Sequence, residues 1–214
     1  MCGKASEVMS PLEGIKNIIF DFGGVIVDLD KERCLQSFEK LGIDARGCLG
    51  QYVQGGIFSR IETGTASVSE FFDALRDMSG RKDLDDGRLA AAWNSFLVGI
   101  PRERLDCIGR LKEKYRLFLL SNTNEIHWHY SVEDFFTCAG HTVDYYFNRI
   151  FLSYEMGLAK PDKAIFLRAV EESGVNPEET LFIDDSADNC AAARGAGLHA
   201  FHSESPGDWM KIFA

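Results

Sequence analysis

Five short apolar runs, each closing on a polar or turn residue, constrain this chain most: Asn17 to Phe20, Arg116 to Leu120, Asn148 to Leu152, Thr180 to Ile183 and Leu198 to Phe201. Each is too short for a helix. Near-continuous apolar runs of this length mark parallel strands covered by helices on both faces. Helical patterns separate the last four. From Pro161 to Ser173, proline holds the first helical position, Ile165, Phe166, Ala169 and Val170 form one apolar face, and Gly174 follows as a stop. A second helix is predicted from about Ala187 to Ala196, with Gly197 as its C-cap. The alternation predicts an α/β fold: a Rossmann-like, parallel five-stranded sheet with helices on both faces.

Residues 31–104 break that rhythm, with helical patterns over Lys31 to Leu41, Ser69 to Met78 and Asp85 to Val98 but no comparable strand. A Gly-rich stretch, Gln54 to Gly64, reads as a loop between two of them. The division expected is a flexible segment at 1–14, an α/β core at 15–30 and 105–214, and an inserted small α-helical cap at 31–104.

The chain has 214 residues with 23 Lys and Arg against 33 Asp and Glu, a formal charge of −10, so its field repels polyanions and nucleic acid is not an expected partner. Cys2, Cys34, Cys48, Cys107, Cys138 and Cys190 are scattered without a CxxC pair, as free thiols of a reducing cytoplasm are. No apolar run approaches the ~20 residues of a membrane span, and the first residues lack an apolar signal core. A cytoplasmic protein without a membrane or an obligate protein partner is expected.

In an open parallel sheet, ligands bind beyond the carboxyl ends of the strands. Here the first strand ends on Asp21, the second on Ser121 and Asn122, and the fourth on Asp184 and Asp185, while GLAKPDK places Lys160 ahead of a helix. Alone, each reads as a turn former, a cap or a surface residue. Together they say more. Carboxylates on strands ~4.8 Å apart repel unless a cation sits between them, and an all-oxygen donor set suits Mg²⁺. A hydroxyl, backbone N–H groups and a lysine on the same rim are parts for holding a phosphate.

With Asp21 in DFGGV, Ser121 in LLSNTN, Lys160 in AKP, and Asp184 and Asp185 in IDDSADN, the chain from about Ile15 onward resembles the haloacid dehalogenase (HAD)-like hydrolases with a helical cap. LSNTN, LAKP and DDSADN, with Gly23, are most similar to the branch containing bacterial sugar-1-phosphate phosphatases such as those for α-glucose 1-phosphate. The resemblance implies a Mg²⁺-dependent phosphatase for a small phosphorylated metabolite, a sugar phosphate, in which Asp21 forms an aspartyl-phosphate. It implies that Ser121 and Asn122 hold phosphate oxygens and that Lys160 offsets negative charge. Asp21, the Gly23 carbonyl and Asp185 would hold the metal, with Asp184 nearby or bound through water.

Most phosphatases of that family carry a second aspartate, a general acid and base, where this chain has Gly23. General acid catalysis contributes ~10²–10⁴-fold, so esters with an acidic leaving group, an aldose 1-phosphate rather than a 6-phosphate, are expected to suffer least. Asp28 is weighed as a substitute and read instead as a hydrated surface residue. A 2-haloacid dehalogenase also uses an aspartate nucleophile and lacks the second aspartate, but it leaves the Asp184–Asp185 pair unexplained; a non-catalytic metabolite-binding protein leaves the whole constellation so. His127 and His129, two apart, face different ways on a helix. Phe58, Arg60 and Glu62 are candidates to face substrate, whereas Trp93, Phe71 and Phe72 read as core.

Overall fold

The computed structural model describes residues 12–50, 54–137 and 140–214. The expected flexible segment 1–14 falls, up to residue 11, outside the described residues, as do Cys2 and Cys138; Cys34, Cys48, Cys107 and Cys190 are free thiols. In chain order the strands are β1 (Asn17–Phe20), β2 (Asp28–Leu29), β3 (Leu97–Gly99), β4 (Arg116–Ser121), β5 (Arg149–Leu152), β6 (Thr180–Asp184) and β7 (His199–His202). The five predicted runs form one parallel sheet in the order β5-β4-β1-β6-β7. The apolar β1, buried along its whole length, takes the centre.

Side chains alternate across this sheet with the period of two that a strand imposes. Ile18, Phe20, Leu117, Leu119, Leu181 and Ile183 belong to one core; Ile19, Phe118, Leu120, Phe151 and Phe182 belong to another on the opposite face. The second core is closed by helix Lys163–Ser173, through Ile165, Phe166 and Ala169, and by helix Ala187–Gly195, through Ala193. The first of these helices begins two residues later than expected. Pro161 precedes it, and Asp162 is its N-cap, accepting the Ala164 N–H at 2.9 Å.

Between β2 and β3, which pair antiparallel, lie α1 (Lys31–Glu39), α2 (Gly56–Glu62), α3 (Val68–Ser79) and α4 (Asp86–Asn94). Two expectations are corrected here. The Gly-rich stretch is not a loop but the helix α2, whose Phe58 packs against Trp93, Phe71 and Phe38 with ring centroids 5.2, 5.3 and 5.9 Å apart. Each such pair adds ~0.5–1.5 kcal/mol beyond area burial, enough to hold a glycine-flanked helix. The helix expected to reach Val98 stops at Asn94, and the chain turns into β3. Arg33 holds that turn by donating to the carbonyls of Ser95 at 2.7 Å and Leu97 at 2.9 Å.

The next helices are α5 (Arg102–Leu111), α6 (Glu125–Ser131), α7 (Val143–Tyr146), α8 (Ser153–Met156), α9 (Lys163–Ser173) and α10 (Ala187–Gly195). The expected core boundary between residues 104 and 105 falls inside α5, whereas the β2–β3 ribbon spans the entry and exit of the insertion. No helix among the described residues is long and apolar enough to cross a membrane.

Candidate active site

Asp21 is the first residue past β1, and its N–H continues the ladder to the Ile183 carbonyl at 2.8 Å. The register that pairs Phe20 with Leu119 on one side and Ile183 on the other brings Ser121 and Asp184 to the same rim. The chain then curls back at once. Gly24 takes φ +75° and its N–H reaches the Val27 carbonyl at 2.9 Å. A Cβ on Gly24 would lie 2.2 Å from Asp185 Oδ2, so glycine is required for the Asp185 carboxylate to approach this backbone.

Asp21, Asp184 and Asp185 each offer a carboxylate oxygen, all within 4.8 Å of one another. Lys160 Nζ lies 2.6 Å from Asp21 Oδ1 and 2.7 Å from Asp184 Oδ2, all three groups being buried. Burial pulls the Lys160 ammonium down, but Asp184 and Asp21 more than offset this and hold it above its ordinary value. Burial raises the Asp21 carboxyl well above the usual carboxylate range, with Asp184 and Asp185 adding to the effect and Lys160 opposing it. Burial and Asp184 likewise push Asp185 up to about 6. Three carboxylates thus face one ammonium, and the excess negative charge fits a cation with oxygen ligands.

The two neighbouring aspartates play different parts. Asp184 Oδ1 accepts from the Ser186 N–H at 2.8 Å and Asn189 Nδ2 at 3.0 Å, and Oδ2 from Lys160 and, at 3.1 Å, Asn189 Nδ2. Its oxygens are spent on orienting the lysine. Asp185, half-buried, lines the cavity together with Asp21, Gly23, Ser121, Asn122 and Lys160. Asp21 Oδ1 receives both Lys160 and the Phe22 N–H at 2.7 Å, leaving Oδ2 for an incoming group.

Asn122 reaches the cavity, but its side chain is committed: Nδ2 donates to the Lys160 carbonyl at 2.9 Å and Oδ1 accepts the Lys160 N–H at 2.8 Å. A phosphate oxygen held at this residue is thereby left to its backbone N–H. Asp28, expected as a hydrated surface group, instead sits half-buried, 2.8 Å from the buried Arg104 Nη1. Of the insertion candidates, Phe58 is core, Arg60 is exposed and donates to the Thr65 carbonyl, and Glu62 lines the cavity.

Several contributors carry no role in the sequence reading. Ser186 caps α10 and Asn189 follows it, a pair visible in DDSADN as an N-cap signature. His127 lines the cavity, stacked 4.1 Å from Trp93 with Nε2 3.1 Å from the Trp93 carbonyl, and burial pushes it down to about 4, so the ring is neutral. His129 is exposed and takes no part.

Comparison with known proteins agrees with this geometry. The family model of haloacid dehalogenase-like hydrolases matches residues 15–197. A D-ribitol-5-phosphate phosphatase of Bacteroides thetaiotaomicron is 39% identical over 198 residues, covering 92% of this chain and 96% of that protein. A HAD family enzyme from the same organism, solved in complex with magnesium and inorganic phosphate, superposes with a TM-score of 0.90 at 41% identity, covering 94% of this chain and 99% of that one. A structure described as a predicted HAD-like family hydrolase from Porphyromonas gingivalis gives 0.85 at 36% identity, with coverages of 93% and 96%. An L-2-haloacid dehalogenase, at 0.58 and 22% identity, shares the fold alone. With its motifs on the carboxyl rim of the expected sheet and the family matched over most of its length, this chain belongs to the haloacid dehalogenase-like hydrolases.

Proposed function

We propose that the protein is a Mg²⁺-dependent phosphatase that hydrolyses a phosphorylated polyol or sugar, of which a pentitol 5-phosphate is the leading case. The observation that carries this reading is the trio Asp21, Lys160 and Asp185: a buried carboxylate with one free oxygen, an ammonium 2.6 Å from its other oxygen, and a second carboxylate facing the same cavity. Asp21 Oδ2 attacks phosphorus, the ester oxygen leaves as the alcohol after taking a proton from water, there being no carboxyl at Gly23 to supply it, and water then cleaves the acyl-phosphate to return the carboxylate and inorganic phosphate. Lys160 stays protonated throughout and offsets charge on Asp21 and the phosphoryl oxygens. Ser121 and the backbone N–H groups after it face those oxygens. The residues fit a magnesium ion on the Asp21 carboxylate, the Gly23 carbonyl and Asp185, with Asp184 behind, bound to Lys160. Such an ion neutralises charge on the transferring phosphoryl group. The helical insertion 31–104 serves as the cap over this centre.

The relative's named substrate is the ester of a primary alcohol. That runs against the preference for acidic leaving groups expected from Gly23, and the substrate reading follows the relative. The dehalogenase alternative is disfavoured because a metal-free site leaves the half-buried Asp185 as uncompensated charge on the cavity wall. The test is phosphate release from D-ribitol 5-phosphate, glucose 1-phosphate, glucose 6-phosphate and p-nitrophenyl phosphate, with Mg²⁺ and with chelator. Mg²⁺-dependent turnover with the highest kcat/KM on the pentitol ester is expected. Turnover undiminished by chelator overturns the metal assignment, and a clear preference for glucose 1-phosphate overturns the substrate assignment.

A further inference from the structure

One wall of the cavity is made by the strand ends. From the insertion the residues lining it are Gln54, Glu62, Phe96 and Leu97, of which only the first two carry polar side chains. Gln54 Oε1 is engaged by the Gly50 N–H at 3.1 Å. The Glu62 carboxyl makes no hydrogen bond or ion pair with any described residue, although the residue is half-buried. A carboxyl in such a place gives up part of its hydration and receives no hydrogen bond from the protein in return.

Its position is nonetheless held firmly. Ser153 Oγ donates to the Glu62 backbone carbonyl at 2.6 Å and accepts the Thr123 N–H at 2.9 Å, which ties the end of α2 to the loop that follows Ser121. Two residues on, Gly64 has φ +66°, and a Cβ there would lie 2.1 Å from the Tyr154 carbonyl oxygen, so the turn sits flush against α8. An unpartnered polar group held this way over a substrate cavity has its hydrogen-bonding capacity left for a ligand.

We propose that Glu62 is a specificity-determining residue: its carboxyl hydrogen-bonds a hydroxyl of the departing alcohol, so that esters of polyhydroxylated alcohols are selected over esters that lack such hydroxyls. This rests on the phosphatase reading above. Burial pushes the Glu62 carboxyl up to about 8, so near neutral pH it is an uncharged acid, able to donate and accept without repelling a phosphate dianion.

The test compares kcat and KM for D-ribitol 5-phosphate and p-nitrophenyl phosphate in wild type, Glu62→Ala and Glu62→Gln, with Mg²⁺ present. Glu62→Ala should lower the ratio of kcat/KM for the pentitol ester over the aryl ester by about 10–100-fold, as loss of a buried hydrogen bond to substrate does. Glu62→Gln, whose amide still donates and accepts, should restore most of that ratio. An equal fall on both substrates would mean a purely structural role and overturn the proposal. So would a Glu62→Gln variant as impaired as the alanine with an altered pH–rate profile, since that marks a proton donor. A wild type that cleaves the aryl ester but no pentitol phosphate overturns the substrate reading itself. A wild type that prefers the pentitol ester while Glu62→Ala keeps the same ratio overturns this proposal alone.

Discussion

The two walls of the cavity are built on opposite principles. On the strand side the polar groups other than Asp185 are bound to one another: Lys160 to Asp21 and Asp184, Asp184 to Ser186 and Asn189, and Asn122 to the Lys160 backbone. The facing wall, Leu29 of β2 with Gln54, Glu62, Phe96 and Leu97 of the insertion, is mostly apolar, and no described residue binds the Glu62 carboxyl. A dense network fixes a few atoms to within the tolerance that chemistry requires, and changing one member disturbs all. A sparse apolar wall changes its selectivity at little cost to the fold. The proposed reaction thus rests on the sheet side, and the proposed choice of substrate on the insertion.

The largest effect that would break this division is at Asp21. Asp21→Asn should cut turnover on the order of 10⁴–10⁶-fold, the scale seen when a nucleophile or its partner is removed, while circular dichroism stays native. Residual turnover near wild type would exclude the covalent route. The neighbouring aspartates sharpen the contrast. Asp184→Asn turns one acceptor into an amide N–H₂ facing Lys160 or the Ser186 N–H, and should cost about 1–3 kcal/mol in urea unfolding with chelator present. Asp185→Asn, which relieves excess charge on the cavity wall, should leave stability at or above wild type and weaken Mg²⁺ activation instead. Equal destabilisation by the two would show that both belong to the internal network.

The smallest effect expected is on the other wall. With its folded pKa at about 8 against an ordinary value of 4.5, Glu62 keeps its proton when folded and loses it when unfolded, so the wild type loses stability as pH rises through that window. Glu62→Gln does not titrate. Its Tm should match wild type near pH 4.5 and exceed it by a margin that widens as pH rises to 8. A difference that is flat with pH would mean that Glu62 is hydrated and ionised throughout, leaving its carboxylate able to accept a hydrogen bond but not to donate one.

Much of this was legible in the chain. The five apolar runs became the sheet because strands buried on both faces must be apolar throughout, and this needs no knowledge of their partners. Asp21, Ser121, Lys160 and Asp185 reached one rim because parallel strands all deliver their carboxyl ends to the same edge. The sequence therefore determined the fold class and which groups meet at the candidate site. It did not determine which oxygen of which carboxylate is free. That Asp184 serves Lys160 while Asp185 faces the cavity, and that the Asn122 side chain is tied to the Lys160 backbone, depends on contacts between residues far apart in the chain. The helix α2 was hidden for a related reason. Gly55 and Gly56 argue locally for a loop, and only the packing of Phe58 among Phe38, Phe71 and Trp93 outweighs them. Tertiary structure alone decided that Glu62, of the three insertion candidates, looks into the site: a helical turn separates side chains by about 100° per residue, and which direction is inward is set by what the helix packs against.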